Sequence, residues 1–173
     1  MVNKKFRLFA PWRREYILSG SDEKKAQQKN STGCIFCDFP KDSSDEEHLI
    51  VHRSKYCFVI LNAFPYNPGH LMVVPYRHLH DFAELTADEL SDLMGTAQTA
   101  IKVMTKVMAP QGFNLGMNIG RTAGAGIDQH LHMHIVPRWN GDTNFMPVIG
   151  GVRVVSESNE SAWKRLRDAW PKD

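Results

Sequence analysis

The chain of 173 residues carries 42% hydrophobic, 23% charged and 10% aromatic residues, with a formal net charge of +2. That length suits one domain whose single core buries roughly 70% of the unfolded surface, which disfavours separate cofactor and substrate lobes and excludes wholesale disorder or fibrous architecture. The near-balanced charge lacks the basic footprint of a nucleic-acid binder, and no apolar run approaches the roughly 20 residues of a membrane span, so neither nucleic acid nor membrane is expected as a partner.

Residues 1–14 place Lys4, Lys5, Arg7, Arg13 and Arg14 around the apolar trio Leu8, Phe9 and Ala10, which is too brief for a secretory signal. Residues 19–32 (SGSDEKKAQQKNST) are polar enough for a linker. An N-terminal arm and linker over 1–33 is therefore expected ahead of one domain over 34–173. The three cysteines, Cys34, Cys37 and Cys57, are odd in number and sparse, which argues against a disulfide framework and for a reducing, cytoplasmic compartment. Cys34 and Cys37, two thiols three positions apart, are spaced to share a zinc ion; a free thiol pair or a redox motif is the alternative. Cys57, within an apolar run, reads as a small core residue.

Residues 56–62 (YCFVILN) and 71–75 (LMVVP) are β-type runs joined by 63–70 (AFPYNPGH), whose prolines and glycine mark a connection. Thr86 and Glu89 form a capping box, and Leu90, Leu93, Met94, Ala97, Ile101, Met104 and Met108 recur at spacings of three and four, which predicts one long amphipathic helix ending before Pro110. Residues 113–119 read as a third strand, 120–126 (GRTAGAG) as a glycine-rich turn and 130–136 as a fourth strand stopped by Pro137. Trp163, Leu166 and Trp170 give a short C-terminal helix an apolar stripe. Strands in a run with one or two intervening helices predict an α+β fold.

Chemistry concentrates in residues 129–139 (QHLHMHIVPRW). On a strand alternate residues share a face, so His130, His132 and His134 are expected to project together while Leu131, Met133 and Ile135 enter the core. A row of imidazoles supports nucleophilic or general acid–base chemistry, or a catalytic metal. No carboxylate base in a metalloprotease-like motif accompanies it.

The His-x-His-x-His pattern resembles the signature of the histidine triad (HIT) superfamily of nucleotide hydrolases and transferases. The resemblance extends through residues 61–78 (LNAFPYNPGHLMVVPYRH), and the flanks 10–17 (APWRREYI) and 138–151 (RWNGDTNFMPVIGG) look like a bacterial branch of diadenosine tetraphosphate hydrolases or phosphorylases. It implies a HIT-like antiparallel sheet of about five strands with one long helix and a C-terminal helix, and a homodimer. It implies that His132 attacks the α-phosphorus of a nucleoside polyphosphate, diadenosine tetraphosphate being favoured, and forms a nucleotidyl-histidine intermediate. His134 would then neighbour the phosphate, with His130 completing the triad and His70 supporting it from an adjacent strand. Asn62 would bind ribose and Asn118 the transferred phosphate, while the residues alone would make each a turn or strand-end group. Gly126 stands where several family hydrolases carry a polar side chain. Backbone amides of 120–126, with Arg121, are candidates for cradling phosphate.

By the same resemblance, His78 and His130 would complete the Cys34 and Cys37 zinc site, with His80 as the competitor. Four filled positions make such a zinc structural. Two other functions compete, a nucleotide-binding or signalling HIT protein with little turnover and a phosphoramidase-type nucleotide hydrolase. Composition and motifs do not separate a hydrolase from a phosphorylase.

Overall fold

The computed structural model describes residues 32–143, 149 and 157–172. The expected arm and linker over 1–33 lies outside the described residues except for Thr32 and Gly33, as does much of the expected 138–151 flank.

Five strands, β1 (Ile50–Arg53), β2 (Cys57–Leu61), β3 (Leu71–Pro75), β4 (Gly112–Gly116) and β5 (Met133–Arg138), form one sheet in the order β1-β2-β3-β5-β4. Every neighbouring pair is antiparallel. The helices are α1 (Ile35–Asp38), α2 (Ala87–Met108) and α3 (Asn159–Ala169), with 3-10 turns at Phe39–Lys41, Phe82–Glu84 and Arg121–Ala123. The α+β reading holds, with a five-stranded antiparallel sheet, a long helix and a C-terminal helix. No helix among the described residues is long and apolar enough to cross a membrane.

Every residue of β2 and β3 is buried, because the sheet is covered on both faces. On one face Val59, Leu61, Leu71, Val73, Met133 and Ile135 pack with Leu93, Ala97, Ala100 and Met104 of α2 and with Leu166 of α3. On the other, Phe58, Ile60, Met72 and Val74 meet Phe36 of α1. The register sets Met72 of β3 opposite His134 of β5, so the His134 ring belongs to the Phe36 face.

The capping box forms as read: the Glu89 amide donates to Thr86 Oγ1 at 3.3 Å, and the Thr86 amide to Glu89 Oε2 at 2.9 Å. Helix α2 stops at Ala109, which turns left-handed just before Pro110. Met94 departs from the expected stripe and is 49% exposed, while Ala100 and Val103 are buried.

Two strands differ from expectation. The expected 130–136 strand begins at Met133, because the segment before it bonds elsewhere. The Leu131 amide donates to the Leu79 carbonyl, and the His130 ring reaches the Pro75 carbonyl. Pro137 does not stop the strand, which runs on to Arg138. The β3 ladder ends at Leu71 opposite Ile135, so no β3 acceptor faces the proline's missing N–H, and Pro137 still pairs with Phe113 of β4. The expected 113–119 strand likewise leaves the ladder after Gly116, opposite His134, close to where β5 itself begins.

Candidate active site

His130, His132 and His134 remain neighbours although only His134 lies in β5. The His132 and His134 ring centroids are 4.8 Å apart, and the Phe36 ring sits 5.5 Å from His130 and 5.2 Å from His132. Met133 and Ile135 enter the helix-side core as expected.

Carbonyl partners decide which ring nitrogen of each histidine holds a proton, since a carbonyl oxygen only accepts. His132 Nδ1 lies 2.8 Å from the His130 carbonyl, so Nδ1–H donates and Nε2 keeps its lone pair. His130 Nε2 lies 2.9 Å from the Pro75 carbonyl, so Nε2–H donates and Nδ1 is left to bind. Burial holds the His132 ring below the ordinary 6.5, partly opposed by its bond to the His130 carbonyl. It is therefore neutral near pH 7, the form a nitrogen nucleophile requires.

His70 stands just before β3, fully buried, with Nε2 3.0 Å from His134 Nδ1. Two donors converge on its other nitrogen, the Tyr66 amide at 3.1 Å and Asn62 Nδ2 at 3.3 Å. His70 Nδ1 therefore accepts, His70 Nε2–H donates to His134 Nδ1, and His134 is left with an Nε2–H donor. Burial, then the neighbouring His134 and His132, push His70 down to about 3. Burial, then His132, push His134 down to about 4. Asn62 also accepts from the Phe64 amide through Oδ1 at 2.9 Å, the local turn bond expected of an asparagine at a strand end.

A second cluster adjoins the first. One donor atom from each of Cys34, Cys37, His78 and His130 lies within 4.8 Å of all the others. Cys34 Sγ is 3.3 Å and Cys37 Sγ 3.5 Å from His130 Nδ1, Cys37 Sγ is 3.2 Å from His78 Nδ1, and the two Nδ1 atoms are 3.3 Å apart. Because His130 Nε2 holds the proton, an electron-rich nitrogen faces the two sulfurs, a donor set suited to a metal cation. These four residues can hold a metal. His80 is exposed and outside the cluster; the buried His132 and the half-buried His134 also lie outside it. Cys57 is buried in the core, its thiol raised to about 12 by burial.

Asn118 follows β4, half-buried, outside the ladder. Arg121 opens the Arg121–Ala123 turn and is exposed, and Gly126 lies in an exposed bend where an added Cβ would meet nothing within 4 Å. Sequence reasoning missed the Pro75 carbonyl, the Tyr66 amide and Phe36. The first two are backbone groups without a residue-type signature, and Phe36 was legible only as one of two apolar residues inside Cys34-Ile35-Phe36-Cys37.

Comparison with known proteins bears on this geometry. The HIT domain family matches residues 43–141, which include His70, His78, Asn118 and the three clustered histidines. The AP-4-A phosphorylase of Mycobacterium tuberculosis (strain ATCC 25618 / H37Rv) is 42% identical over 164 residues, 95% of this chain and 84% of that protein. The asymmetrical bis(5'-nucleosyl)-tetraphosphatase of Schizosaccharomyces pombe is 33% identical over 107 residues, 62% of this chain and 56% of that protein. Among solved structures, a Zn-bound histidine triad family protein from Mycobacterium smegmatis superposes with a TM-score of 0.64 at 25% identity, covering 79% of this chain and 92% of that one. With the histidine row, the five-stranded sheet and these matches in agreement, the chain belongs to the HIT (histidine triad) family.

Proposed function

We propose that this chain is an enzyme that cleaves AP-4-A at an α-phosphorus, with His132 as the nucleophile. The observation that carries the reading is the 2.8 Å bond from His132 Nδ1 to the His130 carbonyl, which leaves Nε2 with a lone pair. The 42% identity to an AP-4-A phosphorylase across 95% of the chain supports the substrate.

In the first step His132 Nε2 bonds to the α-phosphorus. The bond from that phosphorus to its bridging oxygen breaks, and ATP departs with the electron pair. The His130 carbonyl steadies the positive charge that the ring acquires. In the second step an oxygen of inorganic phosphate attacks the same phosphorus, the N–P bond breaks and its electrons return to Nε2. AP-4-A and phosphate thus become ATP and ADP. Water as the acceptor gives ATP and AMP, a second reading supported by the 33% identity to an asymmetrical tetraphosphatase.

His134, with its Nε2–H, serves as a donor to phosphate oxygens, and His70 orients it. Asn62 binds ribose, Asn118 the transferred phosphate, and Arg121 with the backbone around Gly126 the remaining phosphate charge. Cys34, Cys37, His78 and His130 hold a structural zinc, an ion that four such donors complete and that anchors chain segments when bound. The enzyme acts as a homodimer in the cytoplasm, in keeping with its family resemblance and its sparse, odd cysteines.

Wild type and His132→Asn are to be incubated with AP-4-A, with and without inorganic phosphate, and the nucleotides resolved. We expect wild type to produce ATP with ADP when phosphate is present, and the variant to lose at least about 1,000-fold in kcat. Equal turnover by the variant removes His132 from the mechanism.

A further inference from the structure

The loop over residues 63–69 carries a device that the reaction above does not yet use. Asn67 donates through Nδ2 to two acceptors, the Pro137 carbonyl near the end of β5 at 2.9 Å and Asp142 Oδ2, just beyond that strand, at 2.8 Å. Asp142 is itself held by Arg138 Nε at 2.6 Å and by the Trp139 amide at 3.2 Å, so the anchor is fixed from three sides. The Asn67 carbonyl accepts the His70 amide at 3.1 Å, which closes the turn back onto the site. Immediately before Asn67 stands Tyr66, whose amide meets His70 Nδ1. Its ring lies 4.7 Å from His70 and 5.9 Å from His134.

The geometry points to Asn67 as a positioning residue for the His70–His134 pair: its side-chain clamp holds the Tyr66 amide on His70 Nδ1 and thereby keeps the proton on His70 Nε2, facing His134. The Asn67 side chain bonds to Pro137 and Asp142 rather than to these rings, and acts on them through the loop. The proton order that follows has the Tyr66 amide, at 3.1 Å, and Asn62 Nδ2, at 3.3 Å, donating to His70 Nδ1 and His70 Nε2–H donating to His134 Nδ1, which leaves His134 with an Nε2–H donor. Loss of the clamp leaves His70 Nδ1 with the longer bond from Asn62 alone, which weakens the preference for the Nε2–H tautomer and with it the fixed donor on His134. The consequence for turnover rests on the His132 reading above, whereas the consequence for the tautomer does not.

Asn67→Ala removes the clamp and keeps the backbone; Asp142→Ala removes its anchor from the other side. For each variant, the imidazole nitrogens of His70 are read by long-range proton–nitrogen correlation NMR at about pH 7.5, and kcat and KM are measured on AP-4-A. We expect wild-type His70 to show a protonated Nε2 with a bare Nδ1, and both variants to show mixed tautomers. We expect kcat to fall about tenfold while KM stays within about twofold. An unchanged His70 pattern in Asn67→Ala overturns the inference whatever happens to the rate, and so does a changed pattern with unchanged kcat. A changed pattern in a protein whose wild type does not cleave AP-4-A supports the clamp and overturns the proposed substrate instead.

Discussion

His132 uses one nitrogen on the His130 carbonyl and keeps the other bare, while burial holds its ring below the ordinary imidazole value of 6.5. A lowered value means that the neutral, nucleophilic form persists as the solution is acidified. The pH profile of kcat/KM for AP-4-A should therefore stay flat from about pH 8 down through 6.5 and decline only at lower pH. An acidic midpoint at or above 6.5 contradicts this assignment. His70, pushed down to about 3, adds a stability effect of definite sign: between 6.5 and that value the unfolded chain takes up a proton that the native state refuses, so acidification destabilises the fold. At this scale the spacing of His130, His132 and His134 was readable because side-chain identity carries it. The tautomers were not, since they are set by the Pro75 and His130 carbonyls and the Tyr66 amide, which every sequence possesses.

The strands and helices that were legible are those with a local signal: the apolar runs of β2 and β3, and the capping box with its periodic stripe in α2. Strand β1 was missed because Ile50–Arg53 is four residues long and half polar. Its place is fixed from a distance: Trp163 of α3 donates its indole N–H to the Ile50 carbonyl at 2.8 Å, and Arg167 reaches the same oxygen at 3.3 Å. The histidine segment was read as continuous strand because period-two spacing does not reveal that Leu131 and His130 bond to the chain around Leu79 and Pro75. The turn into β3 makes a sharper demand. Gly69 has φ +75°, and a Cβ there would meet Met108 Cε and Sδ at 2.6 Å. Gly69→Ala is expected to cost about 1–2 kcal/mol in urea unfolding, since the methionine end can shift but the left-handed backbone cannot. A midpoint equal to wild type would show that the turn tolerates a side chain.

Across the domain, the metal-competent cluster joins Cys34 and Cys37 at the start of the described body to His78 after β3 and His130 before β5. Residues this far apart in sequence gain the most from a shared ion, because it closes long loops that the unfolded chain leaves open. Exhaustive chelation should lower the thermal midpoint by about 10 °C, with about one zinc released per chain. An unmoved midpoint would leave the cluster without a structural role. The Cys34 and Cys37 pair was visible from spacing, but its partners came from family likeness, because contact across the sheet leaves no local trace. His130 belongs to both centres at once, its imidazole turned to the sulfurs and its backbone oxygen to His132. Alkylation of either thiol after metal removal is therefore expected to lower kcat on AP-4-A, by disturbing the peptide whose oxygen holds the proposed His132 nucleophile.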